Sequence, residues 1–401
     1  MRRLLKAALA GFLAFTAGES AEGLPNMLQK VRIGEVDSLT GRFAAQGTAL
    51  HQGILYAVEE ANRSGGLKVV LVTRDDEGRP ERATAAAEEL IGRYKVAALV
   101  GGYVDSLVGP VSEVAEQHRT PYLATASLDE RLTQRGFHYF FRMSSLSGYV
   151  ETTVGAVLDL FKPKRVAILF SSTPGASQLA KQQKERLERE GIVIPVYEMF
   201  QPSLSDFTPF LAKVREEKAD LLLSNAFFTD HLLLIKQLKG LRIDVKGFLG
   251  AFGMEFPEVV KELGSLSEFT FGTTSWEPGI TLPGTEAASN GFVQGFRRRF
   301  GADPPPLAMH GYGAAKAIVA AIKAALTKGS LLNREALRDE LSRLDLLLPL
   351  ERLRFSETGE PRGYRRVLIQ IQKGRHVVVY PPERATGKAI YPMPPWKERN
   401  P

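Results

Sequence analysis

Apolar and polar positions along the first half of the chain recur with two periods, one typical of β-strands and the other of α-helices. Short apolar or β-branched runs predict strands, and longer segments with one apolar face predict helices. The predicted strands are 31–36, 67–73, 96–100 and 121–124, and the predicted helices are 47–62, 80–94 and 107–118. Strands that alternate with helices of this length predict a parallel sheet covered by helices on both faces.

The same alternation resumes in the second half of the chain. There the predicted strands are 164–170, 192–200, 219–224 and 245–249, and the predicted helices are 175–190, 206–217, 230–239 and 257–263. Two separate runs of this kind predict two α/β lobes.

After residue 276 the pattern changes to one rich in helices. A link containing proline and glycine precedes predicted helices at 286–300, 308–326 and 333–344 and predicted strands at 366–372 and 376–380. The last 21 residues, 381–401, contain six prolines and predict an extended arm over the surface.

The N-terminus has the order of a secretory signal peptide: basic residues, an apolar run and then small residues. Three basic residues lie within the first six positions, and the apolar run 7–16 follows them. The run has about half of the roughly 20 residues that a membrane-spanning helix needs. We therefore predict a signal peptide over 1–20, with cleavage near Gly18 or Ser20; a buried N-terminal helix is the alternative.

The composition and charge of the chain disfavour or exclude several classes of function. The chain has 401 residues, of which 44% are hydrophobic and 24% charged, which is typical of a globular protein. Lys and Arg number 52 against 45 Asp and Glu, and the densest basic run, 297–299, falls on one face of a predicted helix. This pattern favours a solvated face over a nucleic-acid site. The absence of cysteine excludes disulfides, thiolate metal sites, cysteine nucleophiles and lipid attachment through an N-terminal cysteine.

Catalytic motifs are missing from the sequence. No two of the six histidines are three or four residues apart, the spacing that places a metal-binding pair on one helical face. The serine-hydrolase motif G-x-S-x-G is absent, and Gly311-x-Gly313 does not continue into a dinucleotide-binding fingerprint. The adjacent Asp75 and Asp76 follow a predicted strand, where a turn role is favoured. The sequence therefore predicts no enzyme, no metal site and no cofactor.

Short motifs lie in a characteristic order along nearly the whole chain after the signal peptide. They fall at 33–34, 39–41, 57–62, 65–66, 75–76, 101–102, 132–133, 141–142, 164–170, 206–207, 219–220, 304–306 and 378–380, with single residues at Tyr312, Phe355 and Gly359. In this order and spacing the chain resembles the periplasmic leucine/isoleucine/valine-binding protein family, the type I solute-binding receptors of ABC importers.

The resemblance implies two doubly wound parallel-sheet lobes joined by three hinge crossings, which close on a solute. We expect the crossings near Ser144, Trp276 and Leu353. Lobe one would then comprise 30–144 and 277–352, and lobe two 145–276 and 353–380, with 381–401 as the arm. The expected partners are a small-molecule ligand and an inner-membrane ABC permease, with no nucleic acid. A monomer in the periplasm, soluble and not lipid-anchored, is expected.

Ligands of such folds bind where strands end and helices begin, and the family holds the α-carboxylate of its solute there through a serine and backbone groups. In this chain the serine position falls on Asp105, beside Ser106. Two hypotheses remain open. Asp105 either faces the pocket and favours a neutral or cationic group, or it only caps its helix while Ser106 contacts the solute.

The other family positions are matched in part. The tyrosine that follows the first strand of lobe two is absent, and Phe252 stands where an acidic residue pairs with the ammonium group of the solute, with Glu255 three residues on. The predicted ligand-binding residues are Gln46, Tyr103, Asp105, Ser106, Ala126, Ser127, Ser171, Phe227, Phe228, Phe252 and Tyr312.

Aromatic side chains among these predicted residues favour an apolar or aromatic solute, although some of the phenylalanines could instead be core. The predicted function is delivery of a hydrophobic or branched-chain amino acid, or a related small apolar or aromatic compound, to a permease. A periplasmic sensor of amides or aromatic compounds, with the same fold and a signalling partner, is the alternative.

Overall fold

The computed structural model describes residues 30–202, 204–327, 332–363 and 365–399, so the predicted signal peptide lies outside the described residues. The chain first builds most of lobe one. In order, this part contains β1 (Lys30–Asp37), α1 (Ala44–Arg63), β2 (Lys68–Asp75), α2 (Pro80–Gly92), β3 (Ala98–Gly101), α3 (Asp105–Gln117), β4 (Tyr122–Ala124) and β5 (Phe140–Arg142). The five strands form a parallel sheet in the order β2-β1-β3-β4-β5.

The chain then crosses to lobe two. This part contains α4 (Leu146–Ala156), β6 (Arg165–Ser171), α5 (Pro174–Arg189), β7 (Val193–Phe200), α6 (Thr208–Glu216), β8 (Leu221–Asn225), α7 (Phe228–Gly240), β9 (Gly247–Gly250), α8 (Pro257–Leu263) and β10 (Phe271–Thr274). The strands from β6 to β10 pair in parallel, as the alternation of strands and helices predicts.

The chain returns to lobe one and finally to lobe two. The returning part of lobe one contains α9 (Glu286–Phe300), α10 (Pro306–Thr327), α11 (Arg334–Ser342), β11 (Leu346–Leu347) and β12 (Arg352–Leu353), and lobe two then gains β13 (Val367–Gln372) and β14 (Arg375–Tyr380). The seven strands of lobe two have the order β14-β13-β10-β9-β8-β6-β7, with β13 antiparallel to both of its neighbours. Each lobe is thus a doubly wound α/β unit, which confirms the predicted fold class.

Helices α1 and α10 cover one face of the sheet of lobe one and pack unusually close to each other. A Cβ atom on Gly53 would collide with the main chain of Ala308, and a Cβ atom on Gly311 would collide with the main chain of Leu50. The two glycines therefore allow the axes to approach to main-chain contact. The partner helix α10 is buried along most of its length, because it lies between α1 and the rest of the lobe.

The third hinge crossing lies later than the sequence analysis expects. Leu353 and Phe355 pack in the core of lobe one, and the carbonyl of Gly359 accepts a hydrogen bond from the main-chain N–H of Arg142 at 3.1 Å. Glu360 forms an ion pair with the Arg142 guanidinium at 2.6 Å. Residues 353–360 therefore belong to lobe one, and the expected crossing near Leu353 is corrected to a position after Glu360.

The proline-rich arm, which follows β14, lies on the surface of lobe two. Trp396 and Met393 join the core cluster of that lobe, and the indole N–H of Trp396 donates to the carbonyl of Ile243 at 2.8 Å. The other tryptophan, Trp276, lies after β10 and is buried in the core of lobe one. Among the helices that the structure describes, none combines the length and apolarity that a membrane span requires.

Candidate functional site

A cavity lies between the two lobes, where the carboxyl ends of their strands face each other. Its lining residues are Tyr103, Val104, Asp105, Ala126, Ser127, Leu128, Ser144, Tyr149, Thr173, Gly175, Ala176, Phe227, Phe252, Glu255, Thr274, Ser275, Pro306, Leu307, His310 and Arg366. The centres of water molecules can reach about 60 Å³ of this cavity. A single water needs roughly 10–15 Å³ of such space, so the cavity has room for a small solute. Doubly wound α/β units bind ligands at this edge of the sheet.

Four aromatic rings form a continuous wall that crosses from one lobe to the other. The ring of Tyr103 in lobe one meets the edge of Phe227 in lobe two at a centroid distance of 6.4 Å. Phe227 stacks on Phe252 at 5.6 Å, and Phe252 meets Tyr149 edge-on at 5.1 Å. Such a wall favours a solute with an apolar or aromatic body.

Asp105 enters the cavity from the first turn of α3. Gly101, the last residue of β3, and Gly102, the next residue, have φ angles of 114° and 94°, which place the chain in a conformation that glycine adopts freely. A Cβ atom on Gly101 would also collide with the main chain of Val36. The sharp turn that these glycines allow directs the start of α3, and with it the carboxylate of Asp105, towards lobe two.

Three main-chain N–H groups donate hydrogen bonds to the carboxylate of Asp105. The N–H groups of Leu128 and Asp129 donate to its Oδ1 at 2.7 and 2.9 Å, and the N–H of Gly175 in lobe two donates to its Oδ2 at 3.1 Å. Burial raises the pKa of Asp105, while the N–H groups of Asp129 and Leu128 act in the opposite direction. The carboxylate of Asp105 thus joins the two lobes.

Further hydrogen bonds extend this contact between the lobes. Gln178 of α5 donates from Nε2 to the carboxylate of Asp129 at 2.6 Å and accepts from the N–H of Glu130 at 3.0 Å. Gln182, one turn later, donates from Nε2 to the carboxylate of Glu130 at 2.9 Å. The first three turns of α5 therefore close against the loop that follows β4.

The hinge side of the cavity carries a buried ion pair. The guanidinium of Arg366 lies 3.6 Å from the carboxylate of Glu255, donates to the side chain and carbonyl of Thr273, and lies over the ring of Tyr149 at 4.0 Å. The other oxygen of Glu255 accepts from the N–H of Gly253 at 2.8 Å. Burial raises the pKa of Glu255, against the opposing effect of Arg366.

His310 adds a neutral polar group to this side. Its Nε2 lies 2.9 Å from the hydroxyl of Ser275. Burial and the nearby charge of Arg366 lower the pKa of His310 to about 3, so the imidazole is uncharged at neutral pH. The charged groups that line the cavity are therefore the two carboxylates of Asp105 and Glu255 and the guanidinium of Arg366.

Two hydroxyl groups at the cavity have no hydrogen-bond partner among the described residues. They are Ser127 Oγ, on the loop after β4 in lobe one, and Thr173 Oγ1, just before α5 in lobe two. Both atoms are buried, and buried polar atoms in proteins are almost always paired. Each is thus a buried hydroxyl on a cavity-lining residue that still has its full hydrogen-bonding capacity.

A sequence model that describes periplasmic binding proteins matches residues 30–369. The chain belongs to the periplasmic binding protein family. The name of this family implies that its members bind their solutes in the periplasm.

Two relatives have sequences similar to that of this periplasmic binding protein over more than half of its length. The Leu/Ile/Val-binding protein BraC3 of Rhizobium johnstonii is 30% identical over 243 residues, which cover 60% of this chain and 64% of that protein, just under two thirds of its length. The Leu/Ile/Val-binding protein homolog 8 of Brucella suis is 23% identical, with 96% of this chain and 98% of that protein covered.

A solved structure has the same fold. The branched-chain amino acid transporter substrate-binding protein LivJ of Streptococcus pneumoniae, in complex with isoleucine, superposes with a TM-score of 0.77 at 20% identity. The superposition covers 88% of this binding protein and all (100%) of that chain.

The structure brings six of the predicted ligand-binding residues of the binding protein to the cavity. They are Tyr103, Asp105, Ala126, Ser127, Phe227 and Phe252. Asp105 faces the cleft, as one of the two hypotheses expects. Its carboxylate, however, accepts hydrogen bonds from three main-chain N–H groups outside its own helix, and Ser106 is exposed and does not line the cavity.

The other predicted residues lie away from the lining. Gln46 is buried in α1, Ser171 is buried at the end of β6, and Phe228 packs against Phe256 at a centroid distance of 6.0 Å. The ring of Tyr312 lies in the core of lobe one, 4.6 Å from that of Phe292, and its hydroxyl donates to Glu60 at 2.8 Å. The expectation that these four side chains line the cavity is corrected.

Helical geometry explains the displacement of Tyr312. Pro306, Leu307 and His310 line the cavity from the first turns of α10, at the spacing of three and four residues that defines one helical face. Tyr312 is two residues after His310, which points it to the opposite side of the helix.

Sequence reasoning missed most of the residues on the hinge side of the cavity. They are Ser144, Tyr149, Thr274, Ser275, His310 and Arg366. The pair Arg365-Arg366 immediately before the apolar strand β13 is the sequence feature that could have indicated a buried charge.

Proposed function

We propose that this protein is the solute-binding receptor of an ABC importer. It takes up a hydrophobic amino acid, or a related small apolar or aromatic compound, and delivers it to an inner-membrane permease. The observation that carries the proposal is the cavity between the lobes, with its aromatic wall, its charged hinge side and its unpartnered hydroxyls. The names of the relatives and the isoleucine bound to LivJ agree with this class of solute.

Closure of the lobes would tell the permease that the receptor is loaded. Because the first turns of α5 contact lobe one only when the lobes are together, the closed form presents a surface that the open form lacks. We further propose that the receptor is exported by its N-terminal signal peptide and acts in the periplasm as a monomer.

A thermal shift measurement tests the proposal. Protein refolded from denaturant, which removes co-purified solute, is heated with hydrophobic and aromatic amino acids, their amides and amines, aromatic acids and polyamines. A ligand at 100 times its dissociation constant stabilises a protein by about 2.7 kcal/mol, which shifts the melting temperature by several degrees. We expect a saturable shift with small apolar or aromatic solutes. If no compound in the panel shifts the melting temperature, the receptor proposal is wrong.

A further inference from the structure

The carboxylate of Asp105 occupies a site suited to an anion from solution. Main-chain N–H groups at the start of a helix or after a strand bind carboxylates well, because the groups are fixed and carry partial positive charge. Here the N–H groups of Leu128, Asp129 and Gly175 converge on one point between the lobes. The protein fills that point with its own carboxylate.

A carboxylate on the solute therefore meets two obstacles at this end of the cavity. The three N–H donors are already used, and the negative charge of Asp105 would repel a second carboxylate at contact distance. On the hinge side, Arg366 is already paired with Glu255 and bonded to Thr273.

The polar atoms that remain favour a different solute. Ser127 Oγ and Thr173 Oγ1 each belong to a hydroxyl, which can donate one hydrogen bond and accept others. They come from opposite lobes, so a group held between them is contacted by both lobes when the cleft closes. The lining carries two carboxylates, Asp105 and Glu255, and one guanidinium, Arg366. This balance favours a neutral or cationic group.

We infer that Asp105 takes the place of a solute carboxylate, and that the solute is a small apolar or aromatic molecule with an amide or amine nitrogen and no carboxylate. The nitrogen group lies near Ser127 and Thr173, and the apolar body lies along the wall of Tyr103, Phe227 and Phe252. This inference rests on the receptor function proposed above and narrows its class of solute.

Two matched series of compounds test the inference by isothermal titration calorimetry of the wild-type protein. One is L-leucine, L-leucinamide and isoamylamine; the other is L-phenylalanine, L-phenylalaninamide and phenethylamine. Within a series the apolar body is constant, and only the carboxylate is masked or removed. We expect the amide or the amine to bind about tenfold or more tightly than the parent amino acid. Comparison of the amide with the amine in each series shows which nitrogen group the site binds more tightly.

Two variants extend the test. Asp105→Ser exposes the N–H groups of Leu128 and Asp129, and we expect it to raise the affinity for leucine or phenylalanine by about tenfold or more and to remove the preference for the amide. Ser127→Ala combined with Thr173→Val should weaken binding of the amide or amine about tenfold, while the melting temperature without ligand stays near that of the wild type.

The outcomes separate the inference from the receptor function. If wild-type protein binds leucine or phenylalanine as tightly as the amide and the amine, the inference is overturned and the receptor function stands. An unchanged preference in Asp105→Ser also overturns it. If neither series nor the wider panel binds at all, the receptor proposal falls together with the inference.

Discussion

The cavity contains two carboxylates whose surroundings differ in kind. Asp105 accepts hydrogen bonds only from main-chain N–H groups, and these come from both lobes. Glu255 accepts one main-chain N–H from its own loop and depends on the side chain of Arg366 for its counter-charge. Main-chain donors remain after any substitution except one by proline, whereas a side-chain partner can be removed. Replacing Asp105 would therefore leave its three donors in place, whereas replacing Arg366 would leave Glu255 without this counter-charge.

Among the variants predicted here, removal of Arg366 should cause the largest loss in the free energy of unfolding. Arg366→Met leaves Glu255 buried without its counter-charge and deletes two hydrogen bonds to Thr273. Breaking a buried ion pair in this way costs about 3–5 kcal/mol, and we expect that loss in the free energy of unfolding measured with urea.

The double variant Arg366→Met/Glu255→Gln is the control for uncompensated charge. It should recover part of the loss, because a neutral amide replaces the unpaired carboxylate. A single variant that loses less than about 1 kcal/mol would show that solvent reaches Glu255 and that the ion pair is not a buried one.

Asp105→Asn should have a smaller effect, of about 1–3 kcal/mol. The carboxamide has one oxygen and one NH₂ group, so in either orientation its NH₂ opposes a main-chain N–H that the carboxylate satisfies. Urea denaturation measures the change. Asp303→Asn, at an exposed ion pair with Arg297, is the matched control and should stay within about 0.5 kcal/mol. Equal effects in the two variants would contradict the closed contact around Asp105.

Gly175→Ala should hinder closure of the lobes, and so weaken binding of the solute, without lowering the stability of the protein. A Cβ atom at this position would lie 2.8 Å from Asp105 Oδ2 and 2.9 Å from the Cβ of Leu128, both in the opposite lobe. Closure is therefore hindered, and we expect about tenfold weaker binding of the solute by calorimetry. Alanine in a helix is favoured over glycine by up to about 1 kcal/mol, so the melting temperature without ligand should not fall.

The control is Gly291→Ala, within α9, where an added Cβ meets open space. It should gain the same helical preference and keep wild-type affinity. A Gly175→Ala variant that binds like Gly291→Ala would show that the cleft closes without the contact between Gly175 and Asp105.

The smallest predicted effect is a change with pH in the stabilisation that His376 provides through its pair with Glu277. His376 Nδ1 lies 2.7 Å from the carboxylate of Glu277. Burial lowers the pKa of His376, but the hydrogen bond and the charge of Glu277, with that of Glu255, outweigh it, so the pKa lies above its usual 6.5. The stabilisation is therefore complete below about pH 6.5 and is lost as the pH rises through the raised value.

We expect the melting temperature of the wild type to exceed that of His376→Gln most at pH 6, and the difference to shrink by pH 9. The pair of His51 with Glu35 also has a raised histidine pKa, and it remains in both proteins, so it cancels in the difference. A difference that is constant between pH 6 and pH 9 would show that folding does not raise the pKa of His376.

The sequence predicted most elements of the fold to within a few residues, because most helices have one buried and one exposed face and most strands are short apolar runs. Helix α4 was missed for the opposite reason. Eight of its eleven residues are buried, including Leu146, Tyr149 and Val154, so it has little amphipathic pattern to detect. Strand β5 has three residues, which is too short for a periodic pattern.

The sequence predicted only those residues of the candidate site whose position follows from a single local segment of the chain. The residues after β3 and β4 are identified by the rule that solutes bind at strand ends. The contact between Asp105 and Gly175 joins positions 70 residues apart in different lobes, and no local pattern encodes it. Arg366 was missed because its partners Glu255 and Thr273 are distant in the sequence and come close to it only in the folded protein.

The positions of the two tryptophans give each lobe its own fluorescent reporter. Trp276 is buried in the core of lobe one, Trp396 packs on lobe two, and the chain has no other tryptophan. In a Trp276→Phe variant the emission would come from lobe two alone, and in Trp396→Phe from lobe one alone. Denaturation curves of the two variants thus resolve whether a solute held between the lobes makes them unfold as one cooperative unit.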